Sequence, residues 1–177
     1  MAIITLNNNS LSSVTALPAG VGGKVVQVVQ SIKTDSTSTT SVGATHVDAG
    51  LSVAITPSSS SSKVLIQLNL NNIGYSTSCS VGFILVRGST EIGTTSTQGG
   101  QADTFNEIFR VGGGGMSDPL RRLDYPTYTF LDSPATTSAT TYKVQFSVSS
   151  GTGYINRWGT NTDVAGTSCI TAYEIGA

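Results

Sequence analysis

Between Gly50 and Asn72 the chain reads GLSVAITPSSSSSKVLIQLNLNN, and no other stretch constrains the fold as much. Leu51, Val53 and Ile55 alternate with small or polar residues, and the run stops at Pro57. Serines occupy Ser58 to Ser62, and a longer alternation begins at Lys63. Successive side chains of a strand point to opposite faces, so this period marks half-buried strands, and the proline and hydroxyl cluster marks a turn between them. The design returns from Thr129 to Ser149 (TFLDSPATTSATTYKVQFSVS), with a stop at Pro134 and renewed alternation at Tyr142, Val144, Phe146 and Val148. Two such units predict two strand–turn–strand building blocks of one scaffold.

Composition agrees with strands. Only 11% of the 177 residues are charged, against about a quarter in average proteins, and 38% are hydrophobic. Thr and Val are abundant, and β-branched side chains fit a pleated surface while losing rotamer freedom in a helix. No window of ten or more residues sustains a 3.6-residue period, so the expected class is all-β. A length of 177 residues suffices for one domain with a real core.

Charge narrows the partners. A formal net charge of −1 supplies no basic patch for nucleic acid, which needs clustered Lys and Arg to displace counterions. The pair Arg121-Arg122 is flanked by Asp118 and Asp124 and reads as a solvated turn. No apolar run approaches the roughly 18 residues of a membrane-spanning helix, and Met1 to Val14 lacks the basic start and apolar stretch of a signal peptide. Neither nucleic acid nor membrane is therefore an expected partner. A surface solvated by hydroxyls rather than charges leaves sheet edges poorly guarded, which points to self-association or a larger assembly.

Taken in order, residues 1–23 differ from the rest. Turn and linker chemistry (Asn7 to Ser10, Pro18 to Gly23) surrounds the apolar positions Ile3, Ile4, Leu6, Leu11, Val14 and Leu17. The segment reads as an arm that packs on a neighbour, or as a first strand of the same sandwich. The domain proper spans 24–177. Lys24 to Ile32 is apolar on both faces and is expected to be a central strand, with Lys33 to Ser41 a loop. Ala44 to Ile55 is a strand bent at Gly50, where a bulge is expected. Further strands are expected over Lys63–Asn72, Cys79–Arg87 and Thr104–Val111, with a short edge strand at Glu91-Ile92. The last are expected over Tyr125–Leu131, Thr140–Ser149, Gly153–Arg157 and Thr167–Ile175. Eight to ten strands at regular spacing predict an antiparallel β-sandwich. A jelly roll is the first choice and an immunoglobulin-like sandwich the second, since Trp158 does not lie midway between Cys79 and Cys169.

Tests for chemistry return little. His46 is the only imidazole, and Asp48, two residues on, shares its strand face and can pair with it. No GxSxG elbow accompanies them, so a structural pair is expected rather than a catalytic one. One His and two distant Cys do not make a zinc site. Asp103, Asp118, Asp124 and Asp163 lack calcium-loop spacing and read as turn formers. Cys79 and Cys169 are expected to be free thiols. Gly112 to Gly115 lacks the ending of a phosphate loop. No cofactor and no catalysis are expected. Tyr154, Asn156, Arg157 and Trp158 form the most binding-like cluster, an aromatic plate beside amide and guanidinium donors that suits a sugar ring or a protein partner. The competing reading is that these side chains seal the end of the sandwich.

Three stretches together resemble a known module: Gly23 to Asn72, FILVRGSTEIGT (83–94) and FLDSPATTSATTYKVQFSVSSGTGYINR (130–157). The patterns LxVxITPSSSSSKVL, LxRGST and DSPATTSATTYKVQ are similar to those of a module in structural proteins of tailed phages, and the likeness extends over Gly23 to Tyr173. It implies a β-sandwich of virion surface proteins, such as capsid decoration (cement) proteins and tail-fibre domains, usually as homotrimers. No catalytic residues belong to the pattern. A decoration protein on the outer capsid surface, bound to the major capsid protein through the arm, is the expectation. A tail-fibre or receptor-binding tip recognising a host surface glycan is the alternative.

Overall fold

The computed structural model describes residues 24–76, 79–94, 107–112, 122–123, 125–159 and 165–176. The arm positions Ile3, Ile4, Leu6, Leu11, Val14 and Leu17 lie outside them, as do Asp103, Asp118, Asp124 and Asp163. Among the described residues there is no helix. Within the described residues thirteen strands follow one another: β1 (Val25–Lys33), β2 (Thr37–Thr39), β3 (Val47–Ile55), β4 (Lys63–Asn69), β5 (Ile73–Tyr75), β6 (Ser80–Arg87) and β7 (Thr90–Ile92), then β8 (Phe109–Gly112), β9 (Arg122–Leu123), β10 (Thr127–Asp132), β11 (Thr140–Val148), β12 (Gly153–Ile155) and β13 (Ser168–Ile175). The excess over the expected ten, β2, β5 and β9, is made of two- and three-residue strands that carry too little alternation to be read in sequence.

The strands form two large antiparallel sheets and one small one. A four-stranded sheet has the order β1-β13-β4-β10, and a five-stranded sheet the order β3-β11-β6-β7 with β8 also on β6. Pairing is nested: β1 with β13, β3 with β11, β4 with β10 and β6 with β7. The chain is thus a long antiparallel ribbon folded over so that successive pairs alternate between sheets. The two hydroxyl-rich units carry that alternation. β3 crosses to β4 through residues 56–62, and β10 crosses back to β11 through 133–139. Register places both crossings at one end of the sandwich, because Ile55 faces Thr140 and Val64 faces Asp132. Crossing between sheets needs an abrupt stop in pairing, which Pro57 and Pro134 impose.

Between the sheets lies the core expected from the alternation. Leu51, Val53 and Ile55 of β3 meet Val64, Ile66 and Leu68 of β4, with Tyr142, Val144 and Phe146 of β11 and Phe83 of β6. Phe83 stacks on Phe146 and Phe109, with ring centroids 5.8 Å and 4.9 Å away. Gly50 adopts φ +74°, and the register against β11 slips between Val144 and Gln145, so the expected bulge is present. Gly88-Ser89 closes a two-residue hairpin, with Gly88 at φ +61°.

Two expectations fail. Residues 33–41 are not all loop, since β2 pairs with β12 through Thr37–Thr39. Lys24 to Ile32 is not a central strand: β1 is the edge of the four-stranded sheet. Its apolar residues on both faces do not mean burial on both faces, since Val29 packs on the core while Val28 and Ile32 are more than half exposed.

Candidate functional site

The sequence-predicted cluster at 154–158 sits on the third sheet, order β2-β12-β5-β9, at the end of the sandwich opposite the two crossings. Asn156 is 1% exposed and holds φ +62°, a left-handed conformation that asparagine tolerates when its surroundings fix it. Its Nδ2 donates to the carbonyls of Lys33 (2.8 Å) and Asp35 (3.0 Å), and Ser168 Oγ donates to its Oδ1. Its main-chain N–H donates to Asn71 O, and its carbonyl accepts from Gly166 N–H. The side-chain amide is therefore consumed in joining the end of β12 to β1 and β13, and the main-chain N–H ties it to the link after β4. Arg157 places its guanidinium 4.2 Å from the Tyr154 ring centroid, on the face a sugar would use. The backbone of 157–159 lies so close to β5 that a Cβ on Gly74 would strike Arg157 O and Gly159 N. Trp158 is half-buried in that segment. The four residues are neighbours, and the described geometry is that of an end seal with Tyr154 and Arg157 at its surface.

His46 does not pair with Asp48. Asp48 Oδ1 accepts from Gln145 Nε2 (2.5 Å) and lies 2.9 Å from Lys143 Nζ, and these donors hold its carboxyl below the usual range. His46 Nε2 instead lies 3.7 Å from Glu107 Oε1. Glu107 is buried over Gly82, where any Cβ would collide with its carboxylate, and Arg110 grips it with Nε and Nη2 (2.8 and 2.6 Å). Arg110 Nη1 also donates to Ser80 Oγ at 2.7 Å. Sequence reading missed this cluster because Glu107 and His46 are 61 positions apart (107 − 46), and only the fold brings them together. A glycine amid the apolar run 81–86 was the available signal, since it marks a close approach.

Two further carboxylates are interior. Asp132, at the end of β10, accepts from Arg87 Nη1 (2.8 Å to each oxygen) and from the Tyr142 hydroxyl (2.6 Å). Those partners belong to β6 and β11, so the trio ties one sheet to the other. Burial, then the hydrogen bond to Asp132, pushes the Tyr142 phenol up. Glu174 of β13 accepts from the N–H and Oγ of Ser58 (2.8 and 2.6 Å) and from Gln27 Nε2 (2.7 Å). The Ser58 hydrogen bond is the main cause that holds its carboxyl down at about 2. The serine crossing is thus organised by an acid 116 residues away.

The remaining distinctive surface is the outer face of the four-stranded sheet. Val28 pairs with Tyr173, Tyr173 with Leu65, and Leu65 with Leu131, so one apolar row crosses all four strands. The next row is neutral: Gln30, Thr171, Gln67 and Thr129. Its polar groups are partly satisfied within the face, as Gln30 Nε2 donates to Thr171 Oγ1 (3.0 Å) and the Tyr173 hydroxyl to Gln67 Oε1 (3.1 Å). Ile32, Cys169, Asn69 and Thr127 follow. At the other rim Val25 pairs with Ile175 and Ile175 with Lys63, the only charge in these rows.

Cys79 is buried and Cys169 half-buried, and both are free thiols. Burial raises the Cys79 thiol. Among the described residues no three His, Cys, Asp or Glu side chains group as a metal site, and no helix is long and apolar enough to cross a membrane. No protein-family model matches the chain, and a search of curated proteins finds no match.

Proposed function

We propose that the chain is a structural protein of a phage virion, a capsid decoration protein that binds the outer surface of the head as a trimer and stabilises it without catalysis. The sandwich is read here as a jelly roll, on the strength of its nested strand order: β1 beside β13, β3 beside β11, β4 beside β10 and β6 beside β7, alternating between the two large sheets. That order is the observation that carries the reading, together with the phage-module patterns in the sequence. It makes a rigid block whose ends are locked by side-chain pins, Asn156 at one end and Glu174 with Asp132 at the other. Such a block suits a part that must resist load rather than open and close.

In this reading the arm residues Ile3, Ile4, Leu6, Leu11, Val14 and Leu17 reach the major capsid protein. The test is addition of purified protein to capsids that lack it. Full-length protein should bind saturably, and deletion of residues 1–18 should abolish binding while leaving a folded oligomer. Unchanged binding by the truncated protein would remove the arm from the account, and absence of binding by the full chain would remove the decoration role. A tail tip that recognises a host glycan has one observation in its favour, the Tyr154–Arg157 stack at the surface of the end sheet. If it holds, isolated protein attaches to host cells and Tyr154→Ala releases it.

A further inference from the structure

We infer that the outer face of the four-stranded sheet is the surface through which copies of this chain associate. This deepens the proposed structural role and rests on its self-association clause, and the experiment below reads association and capsid addition separately. Strands that cover a core on one side and face water on the other carry polar residues on the wet side. Here the wet side carries the row Val28, Tyr173, Leu65 and Leu131, with Val28 and Leu131 54% and 48% exposed. An apolar row continuous across four strands is a patch rather than scattered surface leucines.

The occupant is a second copy. In a trimer the same face of three copies gathers about one axis and must bring no like charges together, and these rows hold one charge, Lys63, at the rim. Beside the apolar row Gln30 donates to Thr171 and Gln67 accepts from Tyr173, so burying the face strands fewer polar groups. An uncharged face gives a charged partner no electrostatic handle. Area agrees: four strands about 4.8 Å apart and roughly eight residues long present about 500 Å² in projection. Side-chain relief brings that towards the ~800 Å² per partner of a stable interface. The face also runs to β1, whose outer edge pairs with no strand among the described residues, and Val25 to Ile32 include no Lys, Glu or Pro to discourage a neighbour.

The experiment is sedimentation equilibrium of the full chain and of single variants, with circular dichroism to verify folding. Wild type should sediment as an oligomer. Leu65→Lys and the milder, half-exposed Leu131→Ser should remain folded. Association should weaken about 100-fold for the buried lysine and less for the serine. Ser52→Lys, on an exposed position of the other sheet, should associate like wild type. A monomeric wild type, folded Leu65 and Leu131 variants that associate normally, or equal loss in Ser52→Lys would each overturn the inference. Capsid addition is read in parallel. Variants that associate normally yet no longer add to capsids would make the face a capsid-protein site and overturn it. Monomeric variants that still add would support it and place capsid binding elsewhere.

Discussion

The two large sheets present the same inner chemistry and opposite outer chemistry. On the five-stranded sheet the chain covers its own outer surface. Glu107 lies on Gly82, Arg110 spans from Glu107 to Ser80, and Asp48, Lys143 and Gln145 bond across β3 and β11. β6 is consequently buried on both faces from Ser80 to Val86. On the four-stranded sheet nothing among the described residues covers the apolar row, and its edge strand has exposed valines and an isoleucine. The difference separates two jobs. One outer face is finished within the protomer by ion pairs, and the other carries a single charge, Lys63, at its rim, as the proposed interface between copies would require.

The largest expected effect tests what holds these two sheets together. Asp132→Ala removes the acceptor shared by Arg87 and Tyr142 and leaves a partly buried guanidinium and a buried hydroxyl unpaired. A loss of about 3–5 kcal/mol is expected by chemical denaturation. A loss below about 1 kcal/mol would show that packing alone joins the sheets.

Next comes the covering of the five-stranded sheet. Gly82→Ala drives a methyl into the Glu107 carboxylate and must displace it from Arg110. About 2–4 kcal/mol is expected, or roughly 5–12 °C in Tm for a domain of this size. An unchanged Tm would mean that the carboxylate does not rest there.

Acid probes the Ser58–Ser62 crossing. The Glu174 carboxyl is lowered to about 2 from the ordinary 4.5, chiefly by its Ser58 hydrogen bond. The folded state binds the proton more weakly than the unfolded chain. The contribution is therefore complete above about pH 4.5 and is lost as pH falls towards 2. In Glu174→Gln that portion of the acid titration of stability should flatten. Equal pH dependence in both proteins would contradict the assignment. The smallest effect belongs to the open face: Leu131→Ser should change protomer stability by no more than about 0.5 kcal/mol while it weakens association. Substantial unfolding would instead mark Leu131 as part of the core.

Much of the fold was legible because its signal is local. The alternation at Val64, Ile66 and Leu68 names the core face of β4 directly, and Gly50 announces its bulge. What was not legible depends on partners far along the chain. Glu174 gives no sign that it caps a serine turn, and Asp48 sits two residues from His46 yet bonds to Lys143 and Gln145. The misreading of β1 has the same origin. Apolar residues on both faces of a strand do not show that the protomer covers both faces. Leu65 beside Gln67 and Asn69 was the visible trace of the open face, an apolar residue in a polar row.

Both thiols are native reporters of the contrast, since Cys169 lies on the open face and Cys79 in the core. The most direct measurement is the alkylation rate of each thiol in the unmodified protein as its concentration is raised through the association range. Cys169 should label rapidly in dilute protein and slow progressively as copies assemble, while Cys79 stays unreactive throughout. In Leu65→Lys, Cys169 should label rapidly at every concentration. A Cys169 rate that does not change while the sedimenting mass rises would contradict the account, because the copies would then meet through some other surface.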